Sequence, residues 1–343
     1  MKKTLFMTMA VAVMSSLALA GCNTSSGNTV KPMLGKVSIG ILQPNHPALE
    51  AATNGFTAVL TEKANAGEFD INDKFTFTVV NPSQSSSDIS IIAKNMIDTY
   101  DMCLGVATDP AISLVGAASE KGSEKPILFT AITDPVNAGL VKSMNNGSGF
   151  ATGTSDMNPV QQQIELIKEV VPGADKVGIL FTRSEKNSVV QADMAEAAIK
   201  ANGMTVVRKS CTGPSDLSAV ATDLVNTSGL DAIYIPTDNN IAANTGAVSD
   251  AVQGKGILVV CGEENMLKGC GTATLSIDYN KLGRLTGEMA AKIIKGEKHP
   301  SQIPVGSLSK DECEYVMSTA NAAKAGITIP ESALSAHTWR NVD

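Results

Sequence analysis

The sequence predicts an α/β protein built as two doubly wound parallel-sheet lobes, and three observations carry that expectation. Short apolar, β-rich runs alternate with helix-like stretches of about 10–15 residues from near residue 36 to the C-terminus, the pattern of right-handed βαβ units. The series holds about eleven strand candidates, too many for one comfortable sheet, and it divides near residue 154 into two similar halves. The chain of 343 residues also exceeds the size at which a single core keeps growing.

The first half opens with a strand at Lys36–Leu42 (KVSIGIL) and a helix from Pro47 to Ala64. Phe75–Val80 (FTFTVV) is β-rich, and Asp88–Thr99 carries helical periodicity. Strands at Met102–Ala107, Ile127–Thr130 and Gly149–Gly153 follow, with a helix over Pro110–Glu120. The second half begins with a marked helix: Asn158 as N-cap, Pro159 at the first position and Gln161 completing a capping-box pattern. Val160, Ile164, Ile167 and Val171 give it one buried face, and Pro172-Gly173 stops it. Next come strand Val177–Phe181, helix Lys186–Ala201, strand Thr205–Arg208, helix Ser215–Asn226, strand Ala232–Ile235, helix Ile241–Val252 and strand Ile257–Cys261. Thr272–Ile277 is a strand and Tyr279–Lys295 a helix with Leu282, Leu285, Met289 and Ile293 on one face. Glu314–Met317 and Thr319–Ala325 close the series.

The N-terminus is of another kind. Lys2 and Lys3 precede a mostly apolar run from Leu5 to Ala20, the pattern of a secretory signal and too short for a membrane-spanning helix of about 20 apolar residues. Leu19-Ala20-Gly21-Cys22 adds a cysteine directly after the small-residue cleavage site. This resembles the bacterial lipobox, in which the cysteine carries lipid (palmitate among it) and becomes the first mature residue. Residues 1–21 therefore read as a lipoprotein signal peptide. Residues 22–35 read as a flexible tether, because Asn23–Val30 (NTSSGNTV) has almost nothing to bury.

Composition narrows the function classes. The hydrophobic fraction is 43%, the charged fraction 18% and the net charge −7, as in a globular acidic protein. No Lys/Arg cluster occurs, so a nucleic-acid surface is not expected. No CxxC or Cys/His spacing suggests a metal, no cofactor motif is present, and Cys261–Cys270 is the one conceivable bridge. The three histidines, His46, His299 and His337, are not set beside a nucleophile, and GxSxG, GxxxxGK[ST] and HExxH are absent. A binding protein is expected rather than an enzyme.

Ligands of open parallel sheets bind outside the carboxyl ends of the strands. Here each strand runs into polar residues: Gln43 and His46 after the first, Thr108-Asp109 and Thr133-Asp134 after the next two, then Ser155-Asp156. In the second half the ends carry Arg183–Ser188, Thr237-Asp238 and Glu263-Glu264. Ser, Thr, Asp and Asn also cap helices, yet so many polar rims facing one gap point to a polar ligand cleft. The rims are mainly acidic, suiting an ammonium held by charge-assisted hydrogen bonds, with Asp238 first and Asp156 second for that role. Ser184–Ser188 opens a helix whose free N–H groups, with Asn187 and Ser188, suit a carboxylate. Ammonium and carboxylate together describe an α-amino acid, with Gln43, His46 and Thr133 bordering its side chain and Asp134, Ser155, Thr237 and Glu263 completing the site.

Several stretches carry a more specific likeness: IGILQPNHPALEAATNGF (39–56), PILFTAITDPVNAGLV (126–141), GTSDMNPVQQQIELIKEVVPGADKVGILF (153–181), SEKNS (184–188), DAIYIPTDNN (231–240) and SIDYNKLGRLTGEMAAKIIKGE (276–297). They resemble the substrate-binding lipoproteins of ABC importers, in the family that includes tryptophan- and tyrosine-binding proteins of Gram-positive bacteria. The resemblance implies a type I periplasmic-binding-protein fold with three crossings between lobes, residues 36–153 plus 278–305 forming one and 154–277 plus 306–340 the other. It also implies a monomeric, lipid-anchored protein on the extracytoplasmic side that captures a small ligand, an aromatic amino acid above all, for an ABC permease and its ATPase. A surface receptor or adhesin of the same fold, or a nucleoside- or sugar-binding protein, is the alternative.

Overall fold

A computed structural model describes residues 31–69, 75–82 and 86–343. The signal 1–21, Cys22 and most of the tether lie outside the described residues. The first half runs β1 (Ser38–Leu42), α1 (Pro47–Asn65), β2 (Thr76–Val80), α2 (Ser86–Thr99), β3 (Met102–Val106), α3 (Thr108–Lys121), β4 (Ile127–Ile132) and β5 (Ala151–Ser155). It continues with α4 (Val160–Val170), β6 (Lys176–Thr182), α5 (Lys186–Ala201), β7 (Thr205–Cys211), α6 (Pro214–Val225), β8 (Ala232–Ile235), α7 (Asn239–Ala243), α8 (Thr245–Val252) and β9 (Leu258–Cys261). Then follow β10 (Ala273–Ser276), α9 (Tyr279–Ile294), β11 (Gly306–Ser307), β12 (Glu314–Met317), α10 (Thr319–Ala325), α11 (Glu331–Ala336) and β13 (Trp339–Asn341).

The strands form two sheets. One has the order β11-β5-β4-β3-β1-β2 and is parallel throughout; the other has the order β13-β12-β10-β9-β8-β6-β7, with β12 antiparallel to β10. Helix α9 returns to the first lobe, where Leu282, Met289 and Ile293 join the core of Ile39, Phe56 and Leu104. The chain thus passes between the lobes three times: from β5 to α4, from β10 to α9 and from β11 to β12. Ser155 and Gly306–Ser307 lie in the first sheet.

Local chemistry explains most of the elements. His46 caps α1 through Nδ1, which accepts from Ala48 N, and Pro47 takes the first position, where a missing N–H costs nothing. Helices α1 and α9 pack at backbone distance because Gly55 and Gly283 face carbonyl oxygens of Asn280 and Ala52, leaving no room for a Cβ. Expectation and structure part at two helices. Asn158 does not cap α4, which starts at Val160 behind Pro159 with no side-chain cap; the Asn158 amide instead donates to Asp156 O and Thr237 Oγ1. The single helix expected over Ile241–Val252 breaks at Asn244, whose amide donates to Asn240 O at 2.7 Å, a side-chain bond that competes with the helical ladder.

Cys103, Cys211, Cys261 and Cys270 are buried free thiols and Cys313 is half-buried, so no Cys261–Cys270 bridge is present. No helix among the described residues is long and apolar enough to cross a membrane.

Candidate functional site

The carboxyl ends of the strands of both sheets close around a narrow cavity of about 20 Å³ between the lobes, about the room one water needs. The first lobe contributes His46, Ala48 and Leu49 from the start of α1, Ala107 and Thr108 beyond β3, and Ala131 and Thr133 beyond β4. Opposite stand Asn187 of α5, Thr237, Asp238, Asn239 and Ala242 beyond β8, and Glu263 and Met266 beyond β9. Asp156 and Tyr279 line it from two of the crossings.

The three carboxylates are not alike. Asp238, 1% exposed, accepts from Thr182 N (2.6 Å), Ser188 Oγ (2.5 Å), Thr182 Oγ1 (2.9 Å) and Ile241 N (2.9 Å). Those four donors fill its acceptor positions, so it caps α7 and ties it to β6 and α5. Glu263 accepts from Asn265 N (2.8 Å), Asn265 Nδ2 (3.1 Å) and Met266 N (3.1 Å). One position stays open, on the Oε1 lying 3.9 Å from His46 Nε2. Asp156, 2% exposed, takes Thr133 Oγ1 at 3.3 Å and Tyr279 OH at 2.9 Å and keeps acceptor capacity free. Burial raises Asp156 to about 6 against the Tyr279 and Thr133 bonds, and raises Glu263 to about 7. Both are carboxyls that a cation would ionise more fully.

His46 is the one imidazole in the cavity wall. Burial lowers it to about 4, so it is neutral at physiological pH. With Nδ1 accepting from Ala48 N at 3.2 Å, the ring proton sits on Nε2, which becomes a donor. No Lys or Arg lines the cavity, and positive potential comes from helix ends instead. Helices α3 and α5, one from each lobe, have no side-chain cap, so their first N–H groups are free to meet an anion. Their first turns reach the cavity at Thr108 and Asn187.

The backbone is strained at the same place. Ala107 has φ 77° and ψ 165° and Ala131 has φ 57°; among the described residues they are the only non-glycines with positive φ, and both line the cavity. Such conformations cost of order 1–3 kcal/mol and persist where a site over-determines them.

Of the residues expected from sequence, His46, Thr133, Asp156, Asn187, Thr237, Asp238 and Glu263 come together around the cavity. Gln43, Ser155 and Ser188 turn inward: Gln43 Oε1 accepts from Thr53 Oγ1, Ser155 Oγ donates to Thr133 O and Ser188 Oγ braces Asp238. Asp134 caps its own turn by accepting from Val136 N and Asn137 N and borders a separate small pocket. Asp238, expected to hold an ammonium, has no position left for one, and Asp156 does. Tyr279, at the start of α9, is both a cavity wall and the donor to Asp156. Gln191, buried behind Thr237, gave no sequence signal.

The family described as ABC transporter substrate binding protein matches residues 38–339. The chain is 33% identical over 299 residues, covering 87% of itself and 83% of the relative, to the tyrosine-binding protein of Clostridioides difficile (strain R20291). Among solved structures, the ABC domain of Streptococcus pneumoniae in complex with L-Trp superposes with TM-score 0.80 at 31% identity, covering 90% of this chain and all of that one. A ligand-free, open substrate-binding protein with adhesive properties from Clostridium difficile gives TM-score 0.67 at 30% identity, with the same coverage. The two-lobed architecture is that of type I periplasmic binding proteins, and the chain belongs to the ABC transporter substrate-binding protein family.

Proposed function

We propose that this protein captures an aromatic α-amino acid between its lobes and hands it to an ABC permease, without chemical turnover. The observation that carries the reading is the pairing in one cavity of a buried carboxylate with free acceptor capacity, Asp156, and two uncapped helix N-termini, α3 and α5. The ammonium of the ligand meets Asp156, with the Glu263 carboxylate beside it. The carboxylate is received by first-turn N–H groups and by the Thr108 hydroxyl, while the Asn187 amide donates to Thr237 O at 2.8 Å and Glu185 Oε2 at 3.4 Å. Ala48, Leu49, Ala107, Ala131 and Ala242 give the site an apolar wall for the side chain, and the Met266 thioether offers a soft surface to a ring. The L-Trp complex and the tyrosine-binding protein among its relatives support the same class.

In this reading Cys22 bears the lipid that tethers the body to the outer face of the cell membrane, and the protein acts as a monomer. The deciding experiment is a thermal-shift screen of the twenty amino acids, with ribose, purine nucleosides and thiamine as controls. Stabilisation by tryptophan, tyrosine or phenylalanine is expected. Stabilisation by a sugar or nucleoside and by no amino acid overturns the assignment.

A further inference from the structure

Gln191 lies on α5 of the second lobe with 0% exposure and does not line the cavity. Its Oε1 accepts from Thr237 N at 2.9 Å; a backbone N–H can only donate, so this bond fixes which end of the amide is oxygen. The amide nitrogen therefore faces two hydroxyls, donating to Thr237 Oγ1 at 3.2 Å in its own lobe and to Thr133 Oγ1 at 3.3 Å in the other. Thr133 passes its own proton to Asp156 Oδ1, and Tyr279 OH closes the chain on Asp156 Oδ2. One hydrogen-bonded line thus runs from the second lobe to the first and on to the two crossings. Bonds in such a line polarise one another.

We infer that Gln191 is the residue that senses closure: its amide clamps Thr133 only when the lobes meet, and through Thr133 it holds the Asp156 carboxylate in the orientation that a ligand needs. Gln191 is a positioning residue, acting on the ligand through Thr133 and Asp156. The better superposition on the L-Trp complex than on the open, ligand-free relative (TM-score 0.80 against 0.67) fits a chain described with its lobes together. The inference rests on the amino-acid reading only for the choice of probe.

The test is a double-mutant cycle of Gln191→Met and Thr133→Val, near-isosteric changes that remove the amide and the hydroxyl, with L-tryptophan and L-tyrosine as probes. A neutral hydrogen bond is worth about three- to tenfold in an equilibrium, so Gln191→Met should speed dissociation by about that factor with association unchanged. The two changes should couple by a similar factor in affinity and not in the thermal midpoint of the ligand-free protein. Additive affinities, or equal coupling in the ligand-free midpoint, overturn the clamp while leaving the ligand reading intact. If wild type binds only ribose or a nucleoside, the amino-acid reading falls and the cycle is run with that compound. If it binds none of these compounds, the clamp, argued as an aid to ligand capture, is overturned together with the amino-acid reading.

Discussion

Asp156→Asn separates the two things this carboxylate does. In the ligand-free protein it is a buried acid raised from the ordinary 3.8 to about 6, chiefly by desolvation. At about 1.4 kcal/mol per tenfold change in proton affinity, keeping it ionised near pH 7.5 costs the fold up to roughly 3 kcal/mol. The sign follows from the upward shift of an acid. The cost is absent below the unfolded value, grows as pH rises between about 4 and 6, and stays constant above. Asparagine keeps the shape, accepts from Tyr279 and donates to Thr133, whose hydroxyl can rotate, so the variant should be more stable than wild type at neutral pH, with the difference fading by about pH 4. Binding should move the other way, because a buried ammonium that loses its charged partner forfeits about 2–5 kcal/mol, at least about 30-fold in affinity. Thermal denaturation between pH 4 and 8 together with calorimetry of L-tryptophan measures both. Unchanged affinity in Asp156→Asn refutes the ammonium assignment, and lower stability at every pH refutes the account of its burial.

Three further outcomes follow from the same geometry. Ligand affinity should fall as pH drops from about 7 to 5, because a bound ammonium keeps Asp156 and Glu263 ionised and protons at about 6 and about 7 compete with it; a pH-independent titration contradicts this. Gly283→Ala should destabilise the first lobe by about 1–3 kcal/mol or more in urea unfolding despite alanine's higher helix propensity, since its Cβ would collide with Ala52 O; a neutral effect would show that α1 and α9 can separate at little cost. Cys22→Ala should abolish palmitate labelling and release the body from the membrane, and retention of both would dismiss the lipid anchor.

The alternation of strands and helices was legible because parallel strands buried on both faces leave uninterrupted apolar runs, as in β3 and β4. The strand ends were legible because polar residues begin where the apolar runs stop, which marked His46, Thr133, Asp156, Thr237 and Glu263, buried though most of them are. Sequence could not say which way each polar side chain turns. Gln43 and Ser188 carry the same chemistry as their neighbours but point into the lobes, and Asp238 is spent on four local donors. Tyr279 and Asp156 are 123 residues apart, and Gln191 sits mid-helix, so their roles exist only in the folded arrangement. The uncapped start of α3 was hidden because Thr108-Asp109 reads as an ordinary cap, whereas the chain enters the helix through the strained Ala107. Strands β11 and β13 are two and three residues long, too short to carry a period.

In the proposed binding mode the cavity recognises both ends of an amino acid, Asp156 taking the ammonium and the α3 and α5 N-termini taking the carboxylate. Calorimetric titration with L-tryptophan, tryptamine and indole-3-propionate tests it most directly, since the last two each lack one charged group. L-Tryptophan should bind saturably, and both analogues should bind at least about 30-fold more weakly. An analogue that binds as tightly as the amino acid would contradict it.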